Sequence, residues 1–206
     1  MNEQFWWFLA RSSGIVAWAL LVASVALGLV LSTRALGKRP TPAWSLDIHR
    51  GVSGMAVVLT AVHLGAHVLD TYVEFGVAEL LVPMASSWRP LAVTWGVVAL
   101  YLLVAIEVSS LLRTRIPVRV WRTIHLTSFV LYVLATVHFV TAGTDVEGMP
   151  GIVAVIGSMV LIAALTLVRI LAPRGQGRGS RTPRAPRPTA AAASTTTATP
   201  TTTVAD

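Results

Sequence analysis

Residues 46–69 have the sequence LDIHRGVSGMAVVLTAVHLGAHVL, and most of the fold prediction follows from this segment. It is long enough to cross a bilayer core about 30 Å thick, for which a helix needs about 20 mostly apolar residues. It also carries His49, His63 and His67, and ionisable side chains inside a membrane are costly enough to be functional candidates. The stretch therefore predicts a membrane-spanning helix that brings imidazole groups into the bilayer.

Four further segments of the chain have the same apolar character. Together with the first stretch they give five predicted spans, at residues 5–32, 46–69, 91–112, 119–142 and 151–171. Only 12% of the 206 residues are charged, whereas soluble domains have about 25%. The sequence thus predicts an all-α integral membrane bundle of five helices within residues 1–172. A disordered tail is predicted for residues 173–206, whose composition is basic at first and then rich in Ala and Thr and does not support a packed core.

The net charge of +7 is explained by membrane topology. All of the 16 Lys and Arg residues except Arg11 and Arg89 fall in the loops and helix ends of one side of the predicted bundle, or in the tail. The positive-inside rule makes that side cytoplasmic, so the N-terminus is expected outside and the C-terminus inside. We therefore expect a multi-pass membrane protein with no nucleic-acid partner. The composition, rich in Ala, Val and Arg, favours a bacterium and hence its plasma membrane.

The absence of cysteine narrows the choice of cofactor. It excludes disulfides, cysteine-ligated zinc, iron–sulfur clusters and haem attached through a C-x-x-C-H motif. A metal or cofactor must then be held by histidine, carboxylate or backbone groups.

The histidines form two predicted pairs. His49 and His63 are 14 residues apart, about 21 Å along a helix and about 40° from sharing one face. His125 and His138 are 13 residues apart, which places them about 140° apart on a straight helix, so that tilt, a π-bulge or cofactors on different sides are needed to reconcile them. Because the second and fourth spans run in the same direction, His49 is level with His125 and His63 with His138. Two such imidazole pairs are what non-covalent b-type haems require.

Two neighbours of these histidines are secondary candidates. His67 is one helical turn beyond His63 and has three possible roles: a substitute ligand, a partner of a haem propionate, or a proton-transfer group at the outer side. A packing role for this histidine remains an equal alternative. Arg50, beside His49, is a candidate partner for haem propionates through charge-assisted hydrogen bonds, and a headgroup contact is equally open. Gly51, Gly54 and Gly65 are small enough to admit a porphyrin or to pack helices closely.

Residues 46–145 resemble the ferric reductase-like transmembrane domain, found in ferric reductases, NADPH oxidases and the haem-binding membrane subunit of the bacterial methionine sulfoxide reductase system. The resemblance rests on the two histidine spacings, on the W-R-x-x-H run of Trp121, Arg122 and His125, and on the AGTD that follows the fourth span. It implies that His49 and His125 are axial ligands to the iron of one haem b, and that His63 and His138 are axial ligands to the second.

The resemblance also implies a function, namely electron transfer from a cytosolic or membrane donor to an acceptor at the outer face. No flavin- or nicotinamide-binding domain is expected after residue 171, so flavin is expected only through a partner. That donor is a separate flavoprotein reductase or a quinol. The chain is then the haem-bearing subunit of an oxidoreductase, with no catalytic side chain assigned and with an unidentified acceptor.

Two other classes of protein remain open at this point. A histidine-based transporter of protons or divalent metal needs carboxylates near the middle of the membrane, and only Glu107 comes close. A structural subunit would use the histidines merely to link helices. The restriction of all five histidines to two spans that run in the same direction favours the haem interpretation.

Overall fold

The structure is a computed structural model that describes residues 3–33, 42–70, 76–144, 146 and 148–171. Seven helices lie in these residues: α1 Glu3–Thr33, α2 Pro42–Leu69, α3 Val77–Leu81, α4 Pro90–Leu111, α5 Val118–Leu126, α6 Ser128–Ala142 and α7 Met149–Leu171. All but α3 belong to five spans that are long and apolar enough to cross a membrane, with α5 and α6 together forming the fourth. The predicted all-α bundle of five spans is confirmed, with ends within a few residues of those predicted.

Helix α1 forms the centre of the apolar core. Its residues Trp18, Val22, Val25 and Leu29 are buried, and they pack with residues of α6 and α7. A hydrogen bond from Trp18 Nε1 to Thr136 Oγ1 of 3.1 Å joins α1 to α6 inside this core. Because a buried indole N–H without an acceptor is costly, this bond fixes how the two helices face each other.

The most extensive helix packing occurs within two pairs of helices. Helix α2 packs mainly against α1, and α6 packs mainly against α4. Between α2 and either α5 or α6, by contrast, there is almost no direct backbone packing in the described part of the chain. The two histidine-bearing spans therefore face each other across a gap.

A break at Thr127 divides the fourth span between its two histidines. The Thr127 amide bonds to the carbonyl of Ile124 at 3.0 Å, three residues back instead of four, and the Thr127 hydroxyl donates to the same carbonyl at 2.6 Å. A turn of this type interrupts the regular α-helical hydrogen-bond pattern between His125 and His138. The irregularity that the structure shows within residues 118–142 is therefore a tightened turn at Thr127.

The arginines of the described helices and turns are distributed unevenly between the two ends of the bundle. Six of them lie at the end where α2 begins and α4 and α7 finish: Arg50, Arg113, Arg115, Arg119, Arg122 and Arg169. We call this the basic end, and the opposite end, which contains His63 and His138, the cavity end. The predicted disordered tail at 173–206 lies outside the described residues.

Candidate functional site

The structure brings the histidines together in the two pairs that the sequence predicts. At the basic end the ring centroids of His49 and His125 are 6.1 Å apart, with an angle of 74° between the ring planes. At the cavity end the centroids of His63 and His138 are 6.5 Å apart and the planes meet at 76°. In each pair, one ring belongs to α2 and the other to the fourth span, and the two rings face each other across the gap between these spans.

These separations suit one metal ion between two imidazoles. A metal-to-imidazole nitrogen bond is about 2.0–2.1 Å long, so two imidazoles on opposite sides of one metal have ring centres about 6 Å apart. Within the described ranges, no group of three or more His, Asp or Glu side chains could hold a metal ion. At each level of the bundle, the described residues thus offer two imidazoles at a distance that suits one metal ion.

The cavity-end pair is anchored by two strong hydrogen bonds to backbone. His63 Nδ1 lies 2.7 Å from the carbonyl oxygen of Ala10 on α1, and His138 Nδ1 lies 2.8 Å from that of Ala92 on α4. Since a carbonyl only accepts, each Nδ1 is the protonated nitrogen and donates. The tautomer leaves the lone pair on Nε2, the state in which histidine binds a metal.

Two glycines let these rings lie close to the neighbouring helices. A Cβ atom added at Gly14 on α1 would lie 2.8 Å from His63 Nδ1, and one added at Gly96 on α4 would lie 2.8 Å from His138 Nδ1. Real Cβ atoms essentially never come that close. A larger residue at either position would therefore displace the ring from its carbonyl acceptor.

A cavity of about 350 Å³ opens beside this pair. Residues from α1, α2, α4 and α6 line it, among them His63, His138, Trp18, Leu103 and Phe139. Its volume falls at the small end of the roughly 300–1,000 Å³ of cofactor and ligand pockets. The cavity thus provides a largely apolar space next to two imidazole nitrogens.

The basic-end pair is held less tightly. His49 Nδ1 donates to the carbonyl oxygen of Ser24 on α1 at 3.1 Å, and a Cβ added at Gly28 would lie at an ordinary contact distance of 3.5 Å from His49 Cε1. His125 Nδ1 is buried and has no hydrogen-bond partner among the described residues. Its ring instead stacks on Trp121, with centroids 5.0 Å apart and planes 23° from parallel.

The two secondary candidates lie in different surroundings. His67 lines the cavity, and its ring meets that of His63 edge to face at a centroid distance of 4.7 Å. Arg50 pairs with Asp47 at 3.7 Å, and both side chains are mostly exposed. The structure therefore brings His67 to the cavity-end pair, whereas the contact it gives Arg50 is an exposed ion pair at the helix surface.

Gly14, Gly28 and Gly96 are not among the residues that the sequence analysis singles out. The glycines beside the histidines in the sequence behave differently. An added Cβ meets nothing within 4 Å at Gly51, Gly54 or Gly65. A signal for the first two exists in the sequence, because Gly14 and Gly28 are 14 residues apart, the same spacing as His49 and His63. On antiparallel neighbouring helices, equal spacings place each glycine opposite one histidine.

One family matches the chain. The sequence model described as "Ferric reductase like transmembrane component" matches residues 13–136, a range that contains both histidines of the basic-end pair and His63 of the cavity-end pair. No curated protein and no solved structure gives a significant match. The family match agrees with the resemblance noted from the sequence, and it indicates transmembrane electron transfer and haem binding in general terms.

Proposed function

This chain belongs to the ferric reductase like transmembrane component family, and from that premise we propose that it conducts electrons across the membrane through two b-type haems. His49 and His125 hold one haem at the basic end, and His63 and His138 hold the other at the cavity end. The observation that carries the proposal is the spacing of the pairs, with ring centroids 6.1 and 6.5 Å apart. Two imidazoles that bind one metal from opposite sides require about 6 Å.

The surroundings of the pairs support the same assignment. Three of the four imidazoles donate their Nδ1 hydrogen to a backbone carbonyl of a neighbouring helix, which fixes the ring and leaves Nε2 free for iron. The near absence of packing between α2 and the fourth span leaves room for a flat macrocycle between them. A bound b-type haem supplies a ferric/ferrous couple that takes up and releases one electron at a time.

The two pairs lie far enough apart to carry charge across most of a bilayer. His49 and His63 are separated by 14 residues of one helix, a rise of about 21 Å. We infer that electrons enter at the basic end, on the cytoplasmic side by the positive-inside rule, and leave at the cavity end. A cytosolic flavoprotein or a membrane quinol is the donor, and the acceptor lies at the outer face.

The chain's own residues would orient the cofactor and surround it with mostly apolar side chains. Such side chains line the cavity beside the His63–His138 pair, while the carbonyls of Ala10 and Ala92 hold the two rings. With haem bound, rings fixed in this way would change position little between its two charge states. We propose that the chain is the haem-bearing subunit of an oxidoreductase, with its firmest ligand anchoring at the cavity end.

The visible spectrum of the full chain, purified in detergent, tests this function. We expect b-type absorption bands that sharpen on reduction with dithionite, with two haems per chain by pyridine haemochrome assay. A folded, monodisperse and colourless protein reconstituted with haem in excess would overturn the proposal and favour a transporter that uses the same histidines for protons or metal.

The angles between the imidazole planes give a second test. Nearly perpendicular axial rings make the two π-bonding d orbitals of low-spin ferric iron almost equal in energy, which makes the EPR signal strongly anisotropic. The imidazole planes are 74° and 76° apart. We therefore expect two low-spin ferric EPR signals, each strongly anisotropic with a large maximum g value. A rhombic spectrum typical of parallel rings would contradict the ligand geometry even if haem is bound.

A further inference from the structure

His125 differs from the other three paired histidines in what holds its ring. His49, His63 and His138 each have a carbonyl acceptor for Nδ1, whereas His125 Nδ1 is buried without a partner among the described residues. A hydrogen bond at the second nitrogen is the usual device that fixes the orientation of a metal-binding imidazole. Some other contact must therefore determine the plane of the His125 ring.

Trp121 makes that contact. It precedes His125 by four residues on α5, a spacing that places two side chains next to each other on one helix face. The indole and imidazole rings stack with centroids 5.0 Å apart and planes 23° from parallel. A large flat surface at this distance opposes rotation of the imidazole about its Cβ–Cγ bond.

The indole is itself held in place. The guanidinium carbon of Arg113, in the turn before α5, lies 4.8 Å from the centre of the Trp121 ring, within the range of a cation–π contact. The indole Nε1 is buried and has no acceptor among the described residues. The His125 ring and the Arg113 guanidinium therefore both contact this indole.

We propose that Trp121 is the positioning residue for His125, and that its ring face does what a hydrogen bond at Nδ1, which the described residues do not provide, would otherwise do in setting the ring plane at the basic end. The proposal rests on the proposed function, since an axial plane has meaning only for a bound haem. It predicts that the 74° angle of the basic-end pair depends on the aromatic face at position 121, and that the 76° angle of the cavity-end pair does not.

The experiment compares Trp121→Leu, which removes the aromatic face, with Trp121→Phe, which keeps a face but lacks the N–H. The matched control is Trp44→Leu, which removes an exposed tryptophan at the same end of the bundle. Each full-length variant is purified in detergent, and its haem content, EPR spectrum and reductive titration are recorded. His125→Ala identifies which low-spin species belongs to the basic end.

In Trp121→Leu we expect the basic-end EPR signal to move or broaden and its midpoint potential to shift, while the cavity-end signal and potential stay in place. Loss of the basic-end haem alone would also support the proposal. Trp121→Phe should restore most of the wild-type signal, and Trp44→Leu should match the wild type throughout.

Three results would overturn the proposal. In the first, Trp121→Leu leaves both EPR signals unchanged, which would make Trp121 a packing residue only. In the second, both signals change together, which would indicate general loosening of the bundle. In the third, Trp121→Phe behaves like Trp121→Leu, which would assign the effect to the indole N–H. A wild-type protein without haem would instead refute the proposed function before any variant is compared.

Discussion

The cavity-end and basic-end histidine pairs have nearly the same separation but are held in different ways. At the cavity end, hydrogen bonds of 2.7 and 2.8 Å anchor both rings, and a glycine lies directly against each of them. At the basic end, one hydrogen bond of 3.1 Å anchors His49, and a stacked indole supports His125. Equal spacing is thus reached by a rigid arrangement in one half of the bundle and by a more adaptable one in the other.

Helices α1 and α4 contribute unequally to the two sites. Helix α1 provides an acceptor to both histidines of α2, through the carbonyls of Ala10 and Ser24. Helix α4 provides one only to His138, through Ala92. His125 lies on α5, before the break at Thr127, and its Nδ1 has no acceptor among the described residues. The one paired histidine on α5 is thus also the one that the described backbone does not anchor.

The largest expected effect comes from removing one imidazole. In His63→Ala or His138→Ala, we expect loss of the cavity-end haem and retention of the other, which would halve the haem content per chain. The histidine nitrogen would bind the iron directly, and the methyl side chain of alanine has no atom that can bind iron. Pyridine haemochrome assay and EPR measure the outcome.

His67→Ala is the matched control for these variants, because His67 lies beside His63 in the same cavity. We expect it to retain two haems. If His67→Ala lost a haem and His63→Ala did not, His67 would be the ligand, and the description of the cavity-end pair would be wrong.

A smaller effect is expected from filling the glycine positions. Gly14→Ala and Gly96→Ala each place a Cβ 2.8 Å from a histidine ring, and overpacking of this kind costs about 1–3 kcal/mol. We expect weaker retention of the cavity-end haem, measured as faster loss to apomyoglobin, with the basic-end haem unaffected.

Gly28→Ala and Gly54→Ala are the matched controls for these two variants. At Gly28 the new Cβ lies at an ordinary contact distance of 3.5 Å from His49, and at Gly54 it meets nothing within 4 Å. Gly28→Ala should therefore have little effect on the basic-end haem, and Gly54→Ala should have none. If all four variants lost haem equally, the close approach of the His63 and His138 rings to Gly14 and Gly96 would not matter for haem retention.

The sequence predicts the parts of this arrangement that depend on composition and periodicity. The five spans follow from apolar length, and the pairing of His49 with His125 and of His63 with His138 follows from two spans that run in the same direction. The roles of Gly14 and Gly96 depend on which helices become neighbours and on how their faces meet. A single sequence does not report those contacts, although the 14-residue spacing of Gly14 and Gly28 provides a partial signal.

The orientation of the rings is harder still to predict from sequence. The anchoring groups at Ala10, Ser24 and Ala92 are backbone carbonyls, which every residue has, so no side chain marks them. The break at Thr127 also has a weak signal, because threonine is common in membrane helices and its hydroxyl bonds to a carbonyl of its own helix. The predicted 140° mismatch between His125 and His138 shows that some irregularity is needed, but it does not locate it.

Thr127→Ala tests whether the break serves the basic end. The variant loses the bond from the hydroxyl to the Ile124 carbonyl, which is worth about 0.5–1.5 kcal/mol, and alanine favours a regular helix. We expect His125 to turn away from His49, with a moderate change in the basic-end EPR signal and little change at the cavity end. Thr127→Ser, which keeps the hydroxyl, should resemble the wild type, and a change confined to the cavity end would contradict this role for the break.

The smallest effect is expected at Arg50, which the sequence makes a candidate partner for haem propionates. Its guanidinium lies 3.7 Å from an Asp47 carboxylate oxygen, and both side chains are mostly exposed, so the pair contributes at most about 1 kcal/mol. We expect Arg50→Gln to leave both midpoint potentials and the haem content at wild-type values. A shift of the basic-end potential alone, absent in the exposed control Arg115→Gln, would instead mean that Arg50 reaches a haem carboxylate when the cofactor is bound. In that case the basic-end haem would be held by an ion pair as well as by the His125 ring that stacks on Trp121. The two ends would then differ in the kind of contact that holds the haem more than in the strength of that contact.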